Sequence, residues 1–148
     1  MSVLSGCHAP GILLVYAKPT SPRYLSDFHD WYDTEHGPAR LRLGDRYFSN
    51  GFRYKSRDKD TVWLAIYDMK DLSAGADPTY TALRENRSPR EQAVFRHKLH
   101  MLSRQFLRVE AVSGFLVGPS AKLCLISFSA RNETAQSIGS YYCKVGSE

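Results

Sequence analysis

Apolar positions along this chain fall into two periods. Residues 11–17 (Gly-Ile-Leu-Leu-Val-Tyr-Ala) form a short apolar run between Pro10 and Lys18-Pro19, the pattern of a buried strand. Ser21-Pro22 then supplies a cap and a first-turn proline, opening a helix. At 3.6 residues per turn, Tyr24, Phe28, Trp31, Tyr32, Glu35 and Ala39 share one side of it, while Asp30, Asp33 and Thr34 lie elsewhere. Gly37-Pro38 is expected to end or kink this helix, with a short basic continuation to Gly44. Residues 46–55 read as a strand with a bulge or irregular start near Gly51, and residues 57–60 as a charged turn. Residues 61–69, rich in β-branched and aromatic side chains, give the clearest strand and complete a hairpin. Asp77-Pro78 caps a second helix over residues 79–103, with a break at Ser88-Pro89. Residues 106–112 alternate as a fourth strand.

Strand, helix, strand, strand, helix, strand is the split βαβ order of a ferredoxin-like α+β domain. Both helices on one sheet face would leave the other face bare, so a homodimer paired through that face is expected. The domain spans residues 10–112. Residues 113–148 form a C-terminal extension, with one further strand at residues 123–128 and either an extra strand or a loose tail over residues 137–148.

Composition narrows the class. Hydrophobic residues make up 43% and charged residues 24% of 148, ordinary for a globular domain large enough to bury a core. The net charge of +5 is scattered, and Glu85 and Glu91 interrupt the densest basic segment, which argues against nucleic acid. Cys7, Cys124 and Cys143 have no metal or redox spacing and read as free thiols. No stretch reaches membrane-span length and the first ten residues lack signal-peptide order, so a cytoplasmic protein is expected. Glycine-rich phosphate loops, a dinucleotide fingerprint, a Gly-x-Ser-x-Gly elbow and metal-ligand spacing are all missing from the sequence. Acid–base work by His and Tyr, with no cofactor, is the chemistry left.

The candidate residues follow from the first helix. His36 lies at the border of its buried face, where an imidazole either exchanges a proton near neutral pH or caps carbonyls at the helix end. His29 is two turns earlier on the same side, with Asp33 four residues on to fix its tautomer or merely pair with it at the surface. Glu35, on the apolar face, must find donors on a neighbouring strand or serve as an acid of raised pKa. Tyr32, Tyr16 and Tyr67 are candidates to hydrogen-bond an enol or phenolate, or are plain core. Trp31, Trp63 and Phe52 are expected as cavity wall or core, and Arg40 as a partner for a substrate carboxylate or a solvated side chain. The segment Arg84 to Glu91 carries too much charge for core and reads as a helix junction or dimer-rim network. His97 and His100 are expected to be exposed.

Three motifs in order carry a resemblance. They are Phe28-His29-Asp30-Trp31-Tyr32-Asp33-Thr34-Glu35-His36-Gly37-Pro38, then Trp63-Leu64-Ala65-Ile66-Tyr67, then Tyr80-Thr81-Ala82-Leu83-Arg84-Glu85-Asn86-Arg87-Ser88-Pro89-Arg90-Glu91. Together they resemble the EthD-like dimeric α+β barrel family, fungal members above all. Longer relatives carry a second similar half, so the chain resembles a shortened form. The resemblance implies a barrel of two sheets and a pocket between sheet and helices. It also implies proton-moving chemistry on oxygenated ring compounds without a protein-held metal: polyketide cyclases, decarboxylases of aromatic acids, lactone isomerases and cofactor-free monooxygenases. The expected function is a cyclase or decarboxylase tailoring an aromatic polyketide acid, with His36, His29, Tyr32 and Asp33 catalytic. Tyr16, Trp31, Glu35, Arg40, Phe52, Trp63 and Tyr67 would bind the substrate. The alternatives are an anthrone-type monooxygenase and a non-catalytic barrel that binds a hydrophobic metabolite.

Overall fold

The structure, a computed structural model, describes residues 4, 6–59, 61–110, 122–127 and 140–145. The chain divides into two compact units, residues 1–110 and 111–148.

The first unit is a mixed α+β fold built on a four-stranded antiparallel sheet. Its strands are Gly11–Pro19 (β1), Asn50–Lys55 (β2), Trp63–Met69 (β3) and Leu99–Arg108 (β4), in the order β2-β3-β1-β4. The apolar run of β1 takes the centre, where both its edges are hydrogen-bonded. Register sets Leu13 opposite Tyr67 and Phe106, and Val15 opposite Ala65 and Arg104. Alternation therefore puts Leu13, Val15, Ala17, Arg53, Ala65, Tyr67, Arg104 and Phe106 on one face. That face meets the helices in two clusters, one around Leu13, Phe48, Tyr67 and Tyr80, the other around Ala17, Phe28, Trp31 and Val94.

The opposite face carries Ile12, Leu14, Leu64 and Ile66, all buried. The expectation of a bare second face is not met at these four positions. Tyr16 and Phe52 belong to this face too, since Tyr16 pairs with Leu64 and Phe52 with Ile66.

The first helix does not end at Gly37-Pro38. Leu25–Trp31 (α1) runs into a single π turn, Tyr32–His36, and on into Gly37–Leu41 (α2). Proline has no N–H to give, and the Gly37 N–H reaches back five residues to the Tyr32 carbonyl. The extra residue in this turn rotates the buried stripe by one position. Phe28 and Trp31 are buried as the helical spacing predicts, but His36 and Arg40 then follow instead of Glu35 and Ala39. Gly44, at φ +88, stops the segment.

The second helical region is shorter than its periodicity suggests. It comprises Pro78–Glu85 (α3), Pro89–Ala93 (α4) and a π turn over Val94–Lys98, after which β4 begins at Leu99 rather than at residue 106. Pairing with Pro19, Lys18 and Ala17 draws Leu99, His100 and Met101 into the sheet and overrides their helical pattern. Asp77 caps α3 through the Thr79 N–H, and Ser88 caps α4 through the Glu91 N–H. His97 and His100 are exposed.

In the second unit, Lys122–Ser127 (β5) and Ser140–Val145 (β6) pair antiparallel, so a strand lies within residues 137–148. Among the described residues, no helix is long and apolar enough to cross a membrane.

Candidate active site

His36 is the centre of the site. The π turn buries it to 7% exposure, and its Nδ1 lies 2.7 Å from Oε1 of Glu91. Its ring packs 4.3 Å from Trp31, 5.0 Å from Tyr32 and 5.9 Å from Phe95. Burial lowers the imidazole pKa to about 4, outweighing the hydrogen bond to Glu91. At neutral pH the ring is therefore uncharged, with Nδ1–H donating to the carboxylate and Nε2 left as the free base. For Glu91 itself burial works upward, but His36, Arg40 and Arg87 hold its pKa below the usual value, so it stays ionised.

Glu91 owes its position to a chain of contacts between α4 and the π turn. The Glu91 N–H donates to Ser88 Oγ at 3.0 Å, and Ser88 Oγ in turn donates to Glu35. Arg90 reaches Asp30 and also Thr34 Oγ1 on the same helix. Arg40, 6% exposed, donates to the His36 carbonyl at 2.9 Å and has Nη2 3.8 Å from Glu91 Oε1. The histidine is thus held from its side chain and from its own backbone.

Tyr32 and Tyr67 form a phenol pair beside this dyad, hydroxyl against hydroxyl. Burial, and then the neighbouring Tyr67, raise the Tyr32 pKa well above its ordinary value; burial raises that of Tyr67 as well. Both therefore remain protonated. In such a pair one phenol donates to the other, and the acceptor's own O–H becomes a stronger donor for a third group.

Two cavities meet at these residues. The larger, of about 210 Å³, is lined by Tyr32, His36, Arg40, Tyr67 and Tyr80, by the apolar Leu13, Val15, Phe95 and Met101, and by Arg84, Arg87 and Arg104. The smaller, of about 20 Å³, has room for little more than a water molecule and is bounded by Phe28, Trp31, Arg53 and Trp63 together with Tyr32 and His36. Trp31 Nε1, Trp63 Nε1 and Arg53 Nη1 are buried around it without a protein partner. Comparison of the chain with protein-family models, curated proteins and solved structures gives no match in any of the three. The site stands on its geometry.

Of the residues singled out from sequence, Tyr32, His36, Arg40 and Tyr67 line the larger cavity, and Trp31 and Trp63 the smaller. Five do not join them. His29 borders neither cavity and instead sets its ring edge-on to Trp63 at 4.6 Å. Asp33 is exposed and accepts from Arg53 at 2.8 Å, so it is not the partner that fixes His29. Glu35 is turned to Ser88 because the π turn moves it off the buried stripe. Tyr16 and Phe52 occupy the other face of the sheet.

Glu91, Tyr80, Phe95 and the arginines at 84, 87 and 104 were missed. Glu91 overturns the view that its segment is too charged for core, being 5% exposed. Its signal was masked, because Ser88-Pro89-Arg90-Glu91 has the spacing of a capping box, in which the glutamate would fold back on the serine N–H. Here the carboxylate goes to His36 instead. Among the described residues, no group of three or more His, Cys, Asp or Glu is placed to hold a metal ion.

Proposed function

We propose that the chain is an acid–base enzyme that moves a proton on a small oxygenated ring compound, needing no metal or nucleotide. The observation that carries this is a neutral, buried His36, tethered to Glu91 through Nδ1, on the wall of a cavity it shares with the Tyr32–Tyr67 pair. Nε2 of His36 takes a proton from the carbon alpha to the C=O that bears the substrate's conjugated oxygen. The electron pair passes to that oxygen, which accepts a hydrogen bond from the tyrosine pair, and the proton is returned at the product carbon. Glu91 stabilises the imidazolium formed in between, and its hydrogen bond and charge keep burial from lowering the ring's basicity further.

This reading includes the ferredoxin-like, EthD-like assignment and, with it, a cyclase or decarboxylase role in tailoring aromatic polyketides. The antiparallel order β2-β3-β1-β4, with helices α1–α2 and α3–α4 joining its strands, supports the fold. A cavity of about 210 Å³ lies below the roughly 300–1,000 Å³ of drug-sized sites, which favours one or two rings over a three-ring anthrone. The cavity is built within one chain. Pairing of two copies is the part of the reading that sedimentation equilibrium tests.

Proton transfer can be read without the natural substrate. The protein is incubated with 2-tetralone in D₂O, with no metal or nucleotide added, and α-proton exchange is followed by NMR. Exchange above the buffer rate that disappears in His36→Gln supports the reading. A rate equal to buffer, or unchanged in His36→Gln, refutes it.

A further inference from the structure

We propose that Arg84, Arg87 and Arg104 form a binding site for the carboxylate of an aromatic acid on the wall of the larger cavity. The inference rests on the reading of that cavity as the ligand site and adds the charge its ligand must carry. Four guanidinium groups line the cavity, and the carboxylate beside them, Glu91, is engaged by His36 and Arg40. Among the described residues, Arg84, Arg87 and Arg104 have no ion pair.

None of the three is a solvated surface arginine. All are partly buried, whereas Arg90, Arg96 and Arg108 elsewhere in the unit are exposed. Arg104 Nη2 donates to the Tyr80 hydroxyl at 2.9 Å, which aims that side chain along the cavity wall. Arg87 stacks 4.3 Å from the Phe95 ring centre, and its Nε is buried without a partner. Burial, and then the charge of Arg104, push the Arg84 guanidinium pKa below its ordinary value, with Arg87 and Arg40 acting the same way. Gathering like charges in a half-buried space opposes folding, and the arrangement is repaid when an anion enters.

The planar guanidinium fork matches a carboxylate in two parallel hydrogen bonds. Leu13, Val15, Phe95 and Met101 supply the apolar surface a ring would cover, and the phenols of Tyr32 and Tyr67 stand where a ring hydroxyl or carbonyl would be met. An aromatic acid with an oxygen substituent satisfies all three parts of the wall.

The test is fluorescence titration of the full chain with 1-hydroxy-2-naphthoate and with 1-naphthol, which share rings and hydroxyl and differ in the carboxylate. The acid is expected to bind at least about tenfold tighter, and Arg84→Gln and Arg87→Gln each to lose about that factor. Arg84→Gln should unfold at the wild-type temperature or above it, since it relieves repulsion; a residue with a purely structural role would lower it. Equal affinity for the two probes overturns the carboxylate site while leaving the cavity as a ligand site. Failure of both probes to bind removes the cavity reading itself and the inference with it. Displacement of the acid by inorganic phosphate at equal concentration would assign the arginines to phosphoryl groups and overturn the carboxylate.

Discussion

Oε1 of Glu91 lies 2.7 Å from Nδ1 of His36, a residue 55 positions earlier in the chain, and both are more than nine-tenths buried. Burial of this imidazole, against the opposing pull of Glu91, couples folding to protonation. The His36 pKa falls from 6.5 to about 4 on folding, so the unfolded chain binds the proton more readily. The stability linked to this residue is fully present above pH 6.5 and is lost as the pH falls from 6.5 towards 4. A shift of this size corresponds to about 3 kcal/mol. Glu91, whose pKa is lowered from 4.5, acts in the same direction and adds its loss below that pH. Urea unfolding at steps between pH 7 and pH 4 should show the decline, and His36→Gln should flatten it above pH 4.5.

The two histidines of the first helix should separate cleanly. His29 touches Trp63 and neither cavity, and its pKa is lowered by burial and then by Arg53. His29→Asn is therefore expected to keep tetralone exchange within about twofold, whereas His36→Asn should lose most of a 10²–10⁴-fold contribution. Exchange rates measured by NMR for both variants decide it. Equal losses would mean that the imidazole at position 29 reaches the substrate.

The buried phenols predict a non-additive pair. Tyr32→Phe leaves the Tyr67 hydroxyl without its partner in a buried setting, at a cost of about 1–3 kcal/mol. Tyr67→Phe does the reverse. The double variant has no orphaned hydroxyl, so its loss should fall short of the sum by about 1 kcal/mol. Denaturant midpoints for the four proteins of the cycle measure the coupling.

Much of the first unit was legible because its signals are local. The apolar run of β1, the aromatic β3, and the Ser-Pro and Asp-Pro helix starts each act within a few residues. His36, Tyr32, Arg40 and Tyr67 were reached the same way. Glu35 was misplaced because 3.6-residue spacing holds only up to Trp31; the turn at Tyr32–His36 inserts a residue and exchanges Glu35 and Ala39 for His36 and Arg40. Tyr16 and Phe52 were misplaced because an aromatic in a strand does not announce which face it takes; the register with β3 decides that. Glu91 and Arg84 were hidden for a deeper reason. Charge along a helix reads as a solvated surface, and only the packing of α4 on the π turn turns this one inward.

That packing passes through one hydroxyl. Ser88 Oγ accepts from the Glu91 N–H at the start of α4 and donates to Glu35 on the first helix, so it closes α4 against the turn that carries His36. Ser88→Ala removes a helix cap, worth about 1 kcal/mol, and also leaves the half-buried Glu35 carboxylate without this donor. A total loss of about 2 kcal/mol is expected, with Ser88→Thr restoring most of it because the hydroxyl is kept. Since the same oxygen positions Glu91, the loss from Ser88→Ala should not add to that from Glu91→Gln; the double variant should be less destabilised than the sum by about 1 kcal/mol. Additive losses in denaturant unfolding would mean that Glu91 keeps its hold on His36 without the cap, and that α4 is fixed by Arg90 on Asp30 instead.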